Sequence, residues 1–256
     1  MGDAWSPEQY ERFREERRQP FFDLLASVRA LAGMKAVDLG CGTGELTAEM
    51  HRRLEAGETL GIDRSEAMLA KSAAFAAPGL RFEAGDIAAF GGRGYDLILS
   101  NAALHWVPDH PALFARLAGA LAPGGQLAVQ MPANFDQPSH TVAVAVAAEP
   151  PFAEALRPGP TPEILSPERY ATLLDEVGLA DPRVTVRVYG HRLAGPEEVI
   201  EWVKGTLLTC YQSRMPADLF PLFVARYGER LLAVLPGKRP FFFPFKRIFL
   251  HAERNS

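Results

Sequence analysis

Val37-Asp38-Leu39-Gly40-Cys41-Gly42-Thr43-Gly44 decides the fold. An apolar run carries an acid, three glycines follow at alternate positions, and the stretch from Glu45 to Leu54 has helical spacing. Strand, glycine turn and helix in that order form the unit that holds a nucleotide-type cofactor against an α/β sheet. Glycine has no Cβ, so it takes positive φ and lets the backbone come close to a ligand. The helix that follows presents free N–H groups at its start. A GxGxG closes many strand-to-helix units, so the weight rests on what comes next.

Leu60-Gly61-Ile62-Asp63 predicts a second short strand ending in an acid. Asp63 lies 19 positions beyond Gly44, near the spacing at which a carboxylate meets a ribose hydroxyl pair. A carboxylate only accepts, and two hydroxyls of a vicinal diol can both donate to it. Leu80 to Ala84 predicts a third strand, running into Gly85-Asp86-Ile87, and Tyr95 to Asn101 a fourth. Leu121-Ala122-Pro123-Gly124-Gly125 predicts a turn into a fifth, Gln126 to Met131.

The series VDLGCGTG, GIDRSEAML, FEAGDI, YDLILSNAALHW and LAPGGQLAV, spread from Met34 to Met131, resembles the class I S-adenosylmethionine-dependent methyltransferases. Its glycine spacing departs from the GxGxxG of nicotinamide dehydrogenases. The resemblance implies an α/β fold: a Rossmann-like, seven-stranded, mostly parallel sheet with helices on both faces and an α-helical cap. It implies S-adenosyl-L-methionine as cofactor and S-adenosyl-L-homocysteine as product. The cofactor-binding candidates are Asp38, Gly40, Gly42, Gly44, Asp63, Met68, Asp86, Ile87 and Asn101. Met68 is read either against an adenine ring or as a core methionine. Asp86 accepts from the adenine amino group, with Ile87 beside the ring, or is an ordinary turn residue.

The 256 residues suit one sizeable domain with insertions. The expected layout is a single domain over 1–256: a cofactor-binding core at 30–132, with 1–29, 133–165 and 195–240 as cap elements on the substrate side. Hydrophobic content of 48% and charged content of 23% are ordinary for a globular chain. A net charge of −4 leaves no broad footprint for nucleic acid or an anionic membrane. Two cysteines make neither a disulfide framework nor a zinc cluster. No run approaches a membrane span and no apolar leader opens the chain, so a cytoplasmic location is expected.

Trp5 to Leu31 reads as helical, with Ser6 as cap. Tyr10, Phe13, Arg14, Arg17 and Arg18 mostly share one helical arc, either a solvated face or one turned to a ligand. Pro20 is expected to break the helix, which resumes over Phe21 to Leu31. Ala67 to Ala77 and Val142 to Ala148 read as helices, and Glu197 to Leu235 as a helical insertion. Ser166-Pro167-Glu168 caps an amphipathic helix, Val184 to Tyr189 alternates as a strand, and Phe245 to His251 closes the sheet.

Further blocks, YERFREERRQPFFDLLASV, NAALHWVPDH, QMPANFDQPSH, VIEWVKGT and FPFKRIFLHAER, are similar to the branch of that family that esterifies a carboxylate of trans-aconitate. This implies a small polycarboxylate substrate. A carboxylate is ionised near neutral pH, so no general base is expected and no catalytic residue is assigned; alignment is the work. Guanidinium groups match carboxylates in a planar fork. The substrate-binding candidates are Tyr10, Arg14, Arg17, Arg18, His105, Trp106, Lys246 and Arg247. Strand alternation puts Lys246 and Arg247 on opposite faces. A neutral acceptor methylated on oxygen or carbon would instead need a base such as His105, and a non-catalytic cofactor-binding protein is a further reading. No metal is expected, since Asp, His and Cys do not cluster at ligand spacing.

Overall fold

The computed structural model describes residues 14–156 and 164–256. The chain runs α1 (Arg14–Leu25), β1 (Lys35–Leu39), α2 (Glu45–Arg53), β2 (Glu58–Asp63), α3 (Glu66–Ser72), β3 (Leu80–Ala84), β4 (Tyr95–Asn101), α4 (His110–Ala120) and β5 (Leu121–Pro132). It continues through α5 (Pro138–Ala147), α6 (Phe152–Ala155), α7 (Pro167–Glu176), β6 (Leu179–Leu193), α8 (Glu197–Lys204), α9 (Leu207–Gln212), α10 (Leu219–Val234) and β7 (Phe241–Arg254).

The seven strands lie in the order β3-β2-β1-β4-β5-β7-β6. The pairs from β3 across to β5 are parallel, and β7 is antiparallel to β5. This is the mostly parallel sheet that the sequence predicts. The central strands are apolar almost throughout because both of their faces are covered.

The chain divides into two compact units. One draws on the described residues of Glu15–Ala133, Glu163–Arg187 and Arg247–Ser256. Its core sets Val37, Leu39, Ile98, Leu127 and Val129 against Phe114, Leu117 and Tyr170. Full burial of side chains this size contributes about 1.5–3 kcal/mol each. The other draws on Asn134–Pro162 and Val188–Lys246. An aromatic cluster holds it: Trp202 packs edge-on to Phe243, Phe152 edge-on to Phe223, and Tyr211 stacks on Phe223 at 4.9 Å. No helix among the described residues is long and apolar enough to cross a membrane.

Several expected boundaries move. α1 continues through Pro20 and ends at Leu25. Proline removes one backbone donor from the helix, while Phe21 and Leu24 seat the following turn in the core, each 1% exposed. The turn expected at Leu121 to Gly125 lies inside β5. The ladder to β4 absorbs it with a register shift between Tyr95 and Leu97, and Gly124 takes φ 72°. The helix read over Ala67 to Ala77 is α3 followed by a 3₁₀ turn at Ala73–Phe75. The insertion at Glu197 to Leu235 is three helices, and β6 and β7 are longer than their alternating centres.

Register decides which side chains share a face. Asp38 pairs with Leu99, Asn101 with Gln130, and Pro132 with Arg247. Period-two alternation then sets Asp38, Asn101, Gln130 and Arg247 on one face of the sheet. Val37, Leu39, Ile98, Val129 and Ile248 take the opposite face, in the core with Phe114 and Tyr170.

Candidate functional site

The glycine loop joins β1 to α2. Gly40, Gly42 and Gly44 have φ of 85°, 55° and 78°, the left-handed region that glycine enters freely. Their surroundings differ. A Cβ on Gly40 would stand 2.2 Å from Ala103 Cβ, and one on Gly44 2.7 Å from Ser72 Cβ and 2.8 Å from the Phe82 ring. These two glycines let neighbouring elements close in. A Cβ on Gly42 would meet nothing within 4 Å. The middle of the loop is therefore an open cradle.

Asp63, at the end of β2, holds the cradle in shape. Its Oδ2 accepts from the Gly42 amide at 2.8 Å and its Oδ1 from the Ser65 amide at 2.9 Å. Each carboxylate oxygen keeps a second lone pair for a ligand hydroxyl. Asp38 is 3% exposed and accepts from Thr47 Oγ1 at 2.6 Å. Burial pushes its carboxyl up to about 7, against the pull of the Thr47 bond and with a smaller push from Asp63. Cys41 is buried in the loop, and burial pushes its thiol well above the ordinary range.

The remaining cofactor candidates collect around this loop to different degrees. Ile87 Cδ1 lies 3.6 Å from the position a Gly40 Cβ would take, so Ile87, Ala103 and Gly40 meet. Asp86 is exposed and caps the short turn Ile87–Ala89, accepting from the Ala88 amide at 2.9 Å. Met68 is 5% exposed and belongs to the buried set; its amide donates to Ser65 Oγ at 3.3 Å, closing the α3 cap. Asn101, at the carboxyl end of β4, is half-buried, and its Oδ1 has no hydrogen-bond partner among the described residues.

His105 and Trp106 sit on the 3₁₀ turn Leu104–Trp106, their rings 4.6 Å apart. The turn is braced from beneath. His110 Nε2 donates to the Leu104 carbonyl at 3.1 Å, which leaves Nδ1 to accept from the Tyr170 hydroxyl at 2.6 Å.

The basic candidates separate. Tyr10 lies outside the described residues, as do the side chains of Arg14 and Arg17, although both arginines stand on α1. Arg18 pairs with Glu45 at 2.5 Å, and its guanidinium lies 5.6 Å from the Phe22 ring centre. Arg247 is 4% exposed and donates through Nη1 to Gln130 Oε1 at 3.2 Å. Lys246 belongs to the other unit. Its ammonium pairs with Asp136, and its backbone is held by Asn134, which accepts from the Lys246 amide at 2.7 Å and donates to its carbonyl at 2.9 Å.

Sequence reasoning missed Gln130, Thr47 and Glu45. A signal for Gln130 existed: Gln126 and Gln130 are polar in a strand otherwise buried and apolar from Leu127 to Met131. Thr47 and Glu45 sit on an ordinary helix face and carry no such mark. Among the described residues no group of three His, Cys, Asp or Glu is placed to hold a metal.

Residues 30–163 match the model of a methyltransferase domain family. The trans-aconitate 2-methyltransferase of Deinococcus radiodurans is 44% identical to this chain over 259 residues, covering 98% of each. That of Variovorax paradoxus is 41% identical, covering 98% of this chain and 99% of its own. The chain belongs to the trans-aconitate 2-methyltransferase family. Membership extends past the methyltransferase model: the enzyme of Rhizobium meliloti, 39% identical, also spans 98% of the chain. The fold this trans-aconitate 2-methyltransferase family member adopts is also that of more distant solved structures. YcgJ from Bacillus subtilis, 14% identical, superposes with a TM-score of 0.61 over 93% of this chain and 99% of its own. An S-adenosylmethionine-dependent methyltransferase from Mesorhizobium loti, 22% identical, gives 0.51 over 91% and 96%.

Proposed function

We propose that this protein moves a methyl group from S-adenosyl-L-methionine to one carboxylate of trans-aconitate, forming a monomethyl ester. The observation that carries this reading is the 44% identity to a trans-aconitate 2-methyltransferase over 98% of both chains. The similarity is not confined to the cofactor motifs that all such enzymes share.

The residues fit the cofactor. The open space over Gly42 accommodates a group pressed against the backbone. Asp63 keeps lone pairs for the ribose hydroxyls, Asn101 Oδ1 is an acceptor for an ammonium, and Ile87 supplies an apolar wall. Asp38 acts on the loop through Thr47 and the start of α2. We assign Gly40, Gly44, Met68 and Asp86 to shaping the same site. When bound, the cofactor supplies an electrophilic methyl on a sulfonium.

The acceptor carboxylate is a nucleophile without proton removal. The chain's task is to align it and to offset its charge. Arg14 and Arg17 of α1, with Arg247, are the proposed cationic partners, and Tyr10 and His105 the neutral donors. His105 is read as wall and hydrogen-bond donor, with Trp106 packed on it. Arg18 and Lys246 pair with Glu45 and Asp136, and we place both outside the clamp. We read the two compact units as parts of a single methyltransferase domain. No nucleic-acid or membrane partner is proposed. A cytoplasmic location suits Cys41 and Cys210, neither of which is in a disulfide.

The discriminating experiment is the pH dependence of methyl transfer to trans-aconitate. Without an essential base, kcat stays flat from about pH 6.5 to about pH 8.5. A rise titrating near neutrality, abolished in His105→Ala, would favour a neutral acceptor and a general base instead.

A further inference from the structure

Gln130 is fully buried at the carboxyl end of β5. Its two amide ends have different fates. Oε1 accepts from Arg247 Nη1 at 3.2 Å, while Nε2 is buried with no hydrogen-bond partner among the described residues. Its neighbour across the ladder, Asn101, repeats the defect with the opposite sign: a buried acceptor, Oδ1, without a donor. Parallel partners stand about 4.8 Å apart, and these two side chains share a face. A donor and an acceptor so placed, each unmet and not bonded to each other, are costly in a folded core. The usual reason for such a pair is a third group that completes both.

From this juxtaposition we infer that Gln130 is a substrate-binding residue: with Arg247 it forms a corner that takes one carboxylate of the acceptor, beside Asn101 on the cofactor's side. This rests on the carboxylate-methylation reading. Arg247 fixes the Gln130 amide through its oxygen, so the nitrogen is the end presented to the ligand. A carboxylate oxygen accepts from Nε2 and lies next to a guanidinium, and both contacts are strong because the corner is shielded from bulk water. The ligand enters from the Asn101 side, where the row is half-exposed. Ladder adjacency of Asn101 and Gln130 then brings methyl donor and acid acceptor to neighbouring positions.

Gln130→Glu and Gln130→Met separate this role from packing. The glutamate carboxylate still accepts from Arg247, but it replaces the donor with a second acceptor and repels the substrate. Methionine keeps the volume and deletes the amide. The expected result is a KM for trans-aconitate raised about tenfold in Gln130→Met and further in Gln130→Glu. The Kd for S-adenosyl-L-methionine, measured by calorimetry, stays within about twofold in both. A purely structural residue would instead rank the two variants by melting temperature and lower kcat and cofactor affinity together. An unchanged KM in either folded variant, with wild-type turnover intact, means that Nε2 holds only a water and overturns the assignment alone. Absence of wild-type turnover on any polycarboxylate overturns the carboxylate reading and this inference with it.

Discussion

The amide of Gly42 donates to Asp63 Oδ2 across 2.8 Å, so the glycine loop after β1 is tied to the acid that ends β2. Asp63 therefore has two tasks: shaping the loop and receiving a ligand diol. Asp63→Ala deletes both, whereas Asp63→Asn keeps one oxygen for one of them. Cofactor affinity should fall about 10- to 100-fold in Asp63→Ala and less in Asp63→Asn. Calorimetric titration with S-adenosyl-L-homocysteine measures this. Equal affinity in wild type and Asp63→Ala would remove Asp63 from the site.

Gly42 and Gly44 share positive φ but not surroundings. Gly44→Ala forces a left-handed alanine into the Phe82 ring and should cost about 3 kcal/mol. Gly42→Ala has room and should cost only about 1 kcal/mol, yet it fills the cradle. Thermal melts should rank Gly44→Ala as the less stable protein. Calorimetry should show Gly42→Ala folded but more than about tenfold weaker for cofactor.

Asp38 links stability to pH. Its carboxyl is 3.8 when free and is raised to about 7 by burial. Between those values the unfolded chain ionises this group while the fold keeps it protonated, so its contribution to stability is lost as pH rises through that window. Asp38→Asn keeps an oxygen for Thr47 and cannot ionise. The melting temperature of Asp38→Asn minus that of wild type should grow from about pH 4 to about pH 7 and then level off. A constant difference would show that Asp38 titrates normally.

Arg18 and its helical neighbours should respond differently to truncation. Arg18 is already engaged by Glu45, with each side chain about a quarter exposed. Arg18→Ala should change stability by less than about 1 kcal/mol and leave the KM for trans-aconitate in place. Arg14→Ala or Arg17→Ala should raise that KM more than about tenfold with cofactor binding intact. If Arg18→Ala alone raises KM, the clamp has been placed on the wrong arginine.

The cofactor half was legible because its signals are local. Glycines at alternate positions, an acid at the end of β2, and apolar runs for buried parallel strands are each set by neighbours in the chain. Leu80–Ala84 and Tyr95–Asn101 accordingly match their expected bounds. What escaped depends on tertiary contact. Pro20 is a breaker by local rule, but Phe21 and Leu24 are anchored in the core and the helix runs through. Arg18 and Lys246 look alike in sequence as free cations, and only the fold brings Glu45 to one and Asp136 to the other. Lys246 and Arg247 are successive residues of β7, half-buried and buried in turn. Deciding which of them shares a face with Asp38 required the register of β5 with β7.

The most direct test is mass spectrometry of purified protein incubated with S-adenosyl-L-methionine and a panel of di- and tricarboxylates. A single added methyl, as an ester on trans-aconitate and formed in step with S-adenosyl-L-homocysteine, is the predicted result. Methylation of a neutral compound with every polycarboxylate left untouched would contradict it.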